Sequence, residues 1–192
     1  MKRIFRCLTI AFLLIALATT SLLYACDSAP EKRVGNASDG VFTFTPKVNG
    51  SKADVSVVLS KNPGYSTLIL TLDYDSSVLT FTGYDEGTAL SSLGLTPTNP
   101  NTELGYSYEP FNFVYGTQTL NDTSTGTVLT LHFTIKKGAE KGTTFVGFKY
   151  QVNKNEKGQI ASTGVYHSAL TAQGVQNTYY SPEIRYAAVE VS

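Results

Sequence analysis

Cysteine and tryptophan are almost missing from this chain: two cysteines, Cys7 and Cys26, stand in 192 residues, with no tryptophan. Histidine is nearly as scarce, with only His132 and His167. No His-x-His or Glu-x-x-His pair exists to bind zinc. No Gly-x-Ser-x-Gly elbow or phosphate-cradling glycine loop occurs either. His132 falls on an outward strand position and reads as a solvated histidine. The longest basic run is Lys136-Lys137, too little for a nucleic-acid surface. No stretch carries a convincing helical period. These absences leave no recognisable catalytic set, so a non-enzymatic role is expected, with no cofactor.

The N-terminus is what the sequence marks most clearly. Lys2, Arg3 and Arg6 precede an almost wholly apolar or small run from Leu8 to Leu23. A positive start, a short apolar run and small residues beyond it form the pattern of a secretory signal peptide. The run is short for a spanning helix, which needs about 20 apolar residues. Leu23-Tyr24-Ala25-Cys26 resembles the lipobox of bacterial lipoproteins, with Tyr24 in place of the usual small residue. The resemblance implies lipidation of Cys26 and an exported protein held at the membrane, facing outside. Residues 1–25 are then the signal peptide and residues 26–39, polar and aperiodic, a flexible tether.

That cut would remove Cys7 and leave no partner for an intramolecular disulfide. It would also remove three of the 15 basic residues and none of the 15 acidic ones, so the mature balance is −3. The domain from residue 40 to 192 must therefore hold together through its core, for which its length suffices.

Past the tether, Thr, Val, Tyr and Phe alternate with Gly- and Asn-rich turns, the composition of strands. Residues 41–45 read as a first strand, at an edge because Pro46 follows. Residues 53–60 and 65–74 follow; in the latter Leu68, Leu70, Leu72 and Tyr74 share one face, and Thr67, Ile69, Thr71 and Asp73 the other. Residues 78–84, 127–135 and 142–150 continue the series, and 184–191 closes it. Residues 91–103 read as a polar loop and 151–182 as loop with short strands. The aromatic stretch 106–115 is broken by Pro110. Eight or nine short strands without a helix predict an all-β single sandwich.

Three motifs in this order resemble those of cohesin domains. They are Tyr74-Asp75-Ser76-Ser77-Val78-Leu79, then Gly126-Thr127-Val128-Leu129-Thr130-Leu131-His132-Phe133-Thr134-Ile135, then Ala139-Glu140-Lys141-Gly142-Thr143-Thr144-Phe145-Val146-Gly147-Phe148. The resemblance implies a nine-stranded jelly-roll sandwich, similar in fold to carbohydrate-binding modules. It also implies a cellulosome-type partner: the calcium-loaded dockerin module of a secreted polysaccharide-degrading enzyme. The family's binding face maps onto Thr67, Ile69, Thr71 and Asp73 of one strand and Phe145, Gly147 and Lys149 of another. Some relatives carry Asn and Asp where this chain has Thr67 and Ile69. The face here is thus more apolar, with Ile69 and Phe145 as candidate anchors.

Two other readings stay open. A carbohydrate-binding lipoprotein would stack polysaccharide on Tyr106 and Tyr108, although tryptophan is missing; an adhesin-type surface subunit would use the same fold. Asp73, Asp75, Asp85 and Glu86 are the densest acids. A calcium ion near Asp73 and Asp75 is the one metal alternative, but calcium needs six or more oxygens and the spacing matches no calcium loop.

Overall fold

Alternation of buried and exposed residues builds two facing sheets. The computed structural model describes residues 31–98, 111–117 and 121–192. The signal peptide, Cys26, Tyr106 and Tyr108 lie outside the described residues. The strands are β1 (Arg33–Val34), β2 (Asn36–Asn49), β3 (Lys52–Lys61), β4 (Thr67–Asp73), β5 (Leu79–Glu86), β6 (Leu95–Thr98), β7 (Asn112–Gly116) and β8 (Gly126–Ile135). After them come β9 (Gly142–Lys149), β10 (Val152–Lys154), β11 (Ile160–Thr163), β12 (Val165–Thr171), β13 (Gly174–Tyr179), β14 (Pro182–Arg185) and β15 (Ala187–Val191). The first sheet runs β1-β14-β2-β3-β8-β5. The second runs β13-β12-β4-β7-β6, with β9 also paired to β4 and β15 to β9. An all-β sandwich is therefore observed, as the strand pattern predicts; several of its strands are short pieces of longer paths.

The core lies between the sheets. Ala53, Val55, Val57 and Leu59 of β3 are fully buried, as are Leu68 and Leu70 of β4 and Leu129 and Leu131 of β8. Aromatic rings bridge the two inner faces: Phe44 meets Phe148 edge-on at 4.9 Å and Phe81 meets Phe113 at 6.4 Å. The Tyr-Asp turn works as its residues suggest. The backbone N–H of Ser77 donates to the Asp75 carboxylate at 2.8 Å, and the Tyr74 ring packs on Phe133 at 5.3 Å.

Five sequence expectations need correction. Residues 33–39 belong to the sandwich rather than to a tether. β1 pairs with β14, Arg33 opposite Arg185, and the Asp39 carboxylate accepts the Ser181 N–H at 3.0 Å. Just beyond, Gly40 (φ +126°) leaves room for the Tyr65 hydroxyl, which donates to the Asp39 carbonyl at 2.6 Å; a Cβ at residue 40 would stand 1.8 Å from that oxygen. Second, β2 is not an edge strand. It lies between β14 and β3, and Pro46 is tolerated because β14 pairs β2 no further than Thr43.

Third, the loop at 91–103 contains a 3-10 turn (Ser91–Leu93) and then β6, which pairs with β7. Fourth, the short strands expected within 151–182 are present but take up most of the stretch, paired as two hairpins, β10–β11 and β12–β13. The first is an excursion out of the second sheet. β9 pairs with β4 at Thr71–Asp73, and β12 then takes over the same edge at Leu68 and Thr67. Fifth, the closing strand is two strands in different sheets. β14 runs parallel to β2 and β15 antiparallel to β9. The switch shows as a break in alternation, since Tyr186 and Ala187 are both buried.

Candidate functional site

The outward face of β4 keeps the predicted side chains on one surface. Leu68, Leu70 and Leu72 point inward, so Thr67, Ile69, Thr71 and Asp73 point out. Ile69 is 43% exposed, and no loop among the described residues covers it. Its cross-strand neighbour on β7 is the half-buried Val114, which in turn stands opposite Thr96 of β6. Thr71 donates to the Asn112 side-chain oxygen at 2.6 Å. On the other flank the Ile69 N–H donates to the Gly164 carbonyl at 2.8 Å. A Cβ at Gly164 would stand 3.3 Å from that of Ile69, so glycine keeps this side of the isoleucine low. The middle of the face is thus uncharged, shallow and partly apolar.

One end of the face is a closed ionic cluster. Asp73 accepts from Lys149 Nζ at 2.6 Å, Lys32 Nζ at 3.3 Å and the Tyr186 hydroxyl at 2.9 Å. Burial alone would raise the Asp73 carboxyl. The three donors outweigh it and hold the group below the usual carboxylate range. With its side chain only 15% exposed, Asp73 is occupied by its own chain. Lys32 also sits 3.9 Å above the Tyr186 ring. Among the described residues, no three His, Cys, Asp or Glu side chains are grouped to hold a metal ion.

Two predicted contact residues behave differently from expectation. Gly147 is buried, because the Tyr186 ring lies over it; a Cβ there would stand 2.4 Å from ring carbon Cδ1. It shapes the face by admitting that ring. Phe145 is partly buried, with Lys32 Nζ 5.9 Å from its ring centre. Phe145 also lies two residues beyond Gly147, which pairs with Asp73. That places it roughly 20 Å along the strands from Ile69, at about 3.3 Å per residue. Ile69 and Phe145 are therefore not one apolar patch, since the Asp73 cluster separates them. Lys149 remains largely exposed, and Thr67 and Thr71 are half-buried.

Sequence reasoning missed Val114, Lys32 and Tyr186, and the hairpin beside β4. Thr67 pairs with Tyr166 of β12, and Tyr166 with Tyr179 of β13, the two rings 5.8 Å apart. A short alternating run on each side of Gly174 (φ +106°) was the available signal. His132, on the outward face of the other sheet, also differs from its reading as solvated. Nδ1 lies 2.7 Å from Asp54 and Nε2 3.0 Å from Asp85. Both ring nitrogens can donate only if the ring is protonated. Asp54 holds its pKa up against partial burial, and Asp85 adds to the effect.

The cohesin domain family model matches residues 36–173. No curated protein matches the chain. Among solved structures, the seventh ScaB type I cohesin of Pseudobacteroides cellulosolvens is similar in fold: TM-score 0.53, 11% identity, 80% of this chain and 92% of that one covered. So is the sixth cohesin of Acetivibrio cellulolyticus scaffoldin B, solved with a Cel5 dockerin mutant: TM-score 0.51, 15% identity, 80% and 99% covered. A type I cohesin–dockerin complex from Clostridium thermocellum, Coh-OlpA-Doc918, gives a TM-score of 0.50 at 12% identity, with 80% and 98% covered.

Proposed function

This chain belongs to the cohesin domain family, and we propose that it is a non-catalytic receptor for dockerin modules, held at the cell membrane by lipid on Cys26 and facing outside. The observation that carries the binding role is the outward face centred on Ile69. It exposes an isoleucine beside Val114, on a strand whose one acid, Asp73, is already neutralised by its own lysines. An uncharged, shallow apolar centre is the kind of surface that packs against an apolar helix face of a partner. Thr67 and Thr71 flank Ile69; the Thr71 O–H is given to Asn112, so Thr71 offers a partner an acceptor oxygen, and Lys149 supplies a rim charge. The signal-like leader and the Leu23-Tyr24-Ala25-Cys26 site support export and lipidation.

The binding role is tested with a panel of calcium-loaded dockerins from the same genome. At least one is expected to bind the chain, and Ile69→Asp is expected to weaken that binding tenfold or more with an unchanged circular dichroism spectrum. The substitution removes a buried apolar contact and buries a charge. Failure of every dockerin to bind, or full affinity in the variant, would overturn the reading. Lipidation is tested by labelled palmitate incorporation, expected in the wild type and lost in Cys26→Ala; label that survives the substitution would refute the site.

A further inference from the structure

The two most exposed large apolar side chains among the described residues are Leu170, 86% exposed, and Val175, 70% exposed. They are cross-strand partners in the β12–β13 hairpin. Strand pairs share a face, so the register locates them. Thr67 of β4 stands opposite Tyr166, and Tyr166 opposite Tyr179. Ser168 with Asn177 and Leu170 with Val175 follow at two-residue steps on the same side. The pair therefore stands on the outward face that also carries Ile69. On the opposite side of the hairpin, His167 turns toward the buried Ser66, Nδ1 lying 3.4 Å from Oγ.

β12 pairs with only the first two residues of β4 and then runs on past the start of that strand. Leu170 lies four residues beyond the Thr67 row and Ile69 two residues the other way. The two are therefore roughly 20 Å apart along the strands, at about 3.3 Å per residue. A standard interface buries about 800 Å² per partner, a patch roughly 30 Å across, so one partner can cover both. Neither strand of the hairpin contains Asp, Glu, Lys or Arg. β13 ends its sheet without the charges, proline or bulge that usually blunt an exposed edge. An uncharged apolar tip on an unguarded edge marks a surface that is covered in use.

We propose that the β12–β13 hairpin is a second contact arm for the same dockerin partner, in which Leu170 and Val175 close over an apolar part of the module seated on Ile69. This rests on the dockerin-receptor reading above. The occupant follows from continuity with the Ile69 face and from the uncharged character of both: a partner with an uncharged apolar surface long enough to span them.

The test uses the full-length chain in detergent against the calcium-loaded dockerin panel. Leu170→Ser with Val175→Thr keeps strand-compatible residues at exposed positions. The double variant is expected to keep the wild-type melting temperature while its dockerin affinity falls about tenfold. Because the contact is uncharged, the fall should be equal at low and high salt. If a dockerin binds the wild type and the double variant equally, the arm proposal is overturned and the receptor reading stands. If no dockerin binds the wild type, both are overturned. If instead the double variant turns a dimer into a monomer with dockerin affinity unchanged, a second copy of the chain covers the arm and the proposal is overturned.

Discussion

Tyr186→Phe removes one hydroxyl from the point where the chain passes from one sheet to the other. That hydroxyl lies 2.9 Å from the Asp73 carboxylate and 3.1 Å from the Phe148 carbonyl. It thus ties the β14–β15 corner to β4 and β9 together. A hydrogen bond to a charged group contributes about 1.5–3 kcal/mol net. Lys32 and Lys149 still reach Asp73 in the variant, so its carboxylate is not left bare, and the low end applies, about 1.5 kcal/mol. The ring stays in place over Gly147, so no cavity adds to the loss. For a domain of this size that corresponds to a fall of about 3–6 °C in melting temperature. The loss has a pH signature as well. Asp73 titrates below its unfolded value, so its stabilisation is full above the unfolded pKa of about 3.9 and disappears as pH falls through the lower folded value. Losing one donor moves the folded pKa up toward the unfolded one. The gap between wild type and variant is therefore widest near neutrality and closes in acid. Urea unfolding followed by tyrosine fluorescence, repeated from about pH 7 down through the carboxylate range, measures this. Equal stabilities at neutral pH, or a gap that does not change with pH, would refute the reasoning.

Further outcomes are expected at two other side chains. The Tyr115 hydroxyl is buried without a hydrogen-bond partner among the described residues. Tyr115→Phe should therefore match the wild type or exceed it by up to about 1 kcal/mol; a loss of more than that in urea unfolding would show that the hydroxyl is satisfied. His132 should titrate above the ordinary value of about 6.5, by NMR, and return toward it in Asp54→Asn. Its raised pKa means that its contribution is full below the unfolded value and lost as pH rises through the folded one. Partial exposure limits that contribution to under about 1 kcal/mol. A titration at or below the ordinary value would rule out the paired imidazolium.

Where burial follows a period of two, the local pattern was readable. Leu68, Leu70 and Leu72 lie inward and Ile69 outward, as alternation alone requires. Leu129, Leu131 and Phe133 behave in the same way. The β12–β13 hairpin was only faintly readable: short runs flank Gly174, but past Val165 neither strand has a fully buried residue, so no apolar row marks a core face. β1 was missed because two residues carry no pattern; only β14, about 150 residues later, makes Arg33 and Val34 a strand.

The candidate face divides along the same line. Composition and spacing alone determined a sandwich of short strands, put Thr67, Ile69, Thr71 and Asp73 on one side of β4, and carried the motifs of the cohesin family. Local alternation is enough for that, because a strand's side chains take opposite faces whatever the strand pairs with. Tertiary structure decided which of those residues are free. Asp73 is closed off by Lys32, 41 residues earlier, and Tyr186, 113 residues later. Gly147 lies under the Tyr186 ring, and Ile69 stays open beside Gly164. Those outcomes depend on contacts between segments remote in the chain, and no local period encodes them.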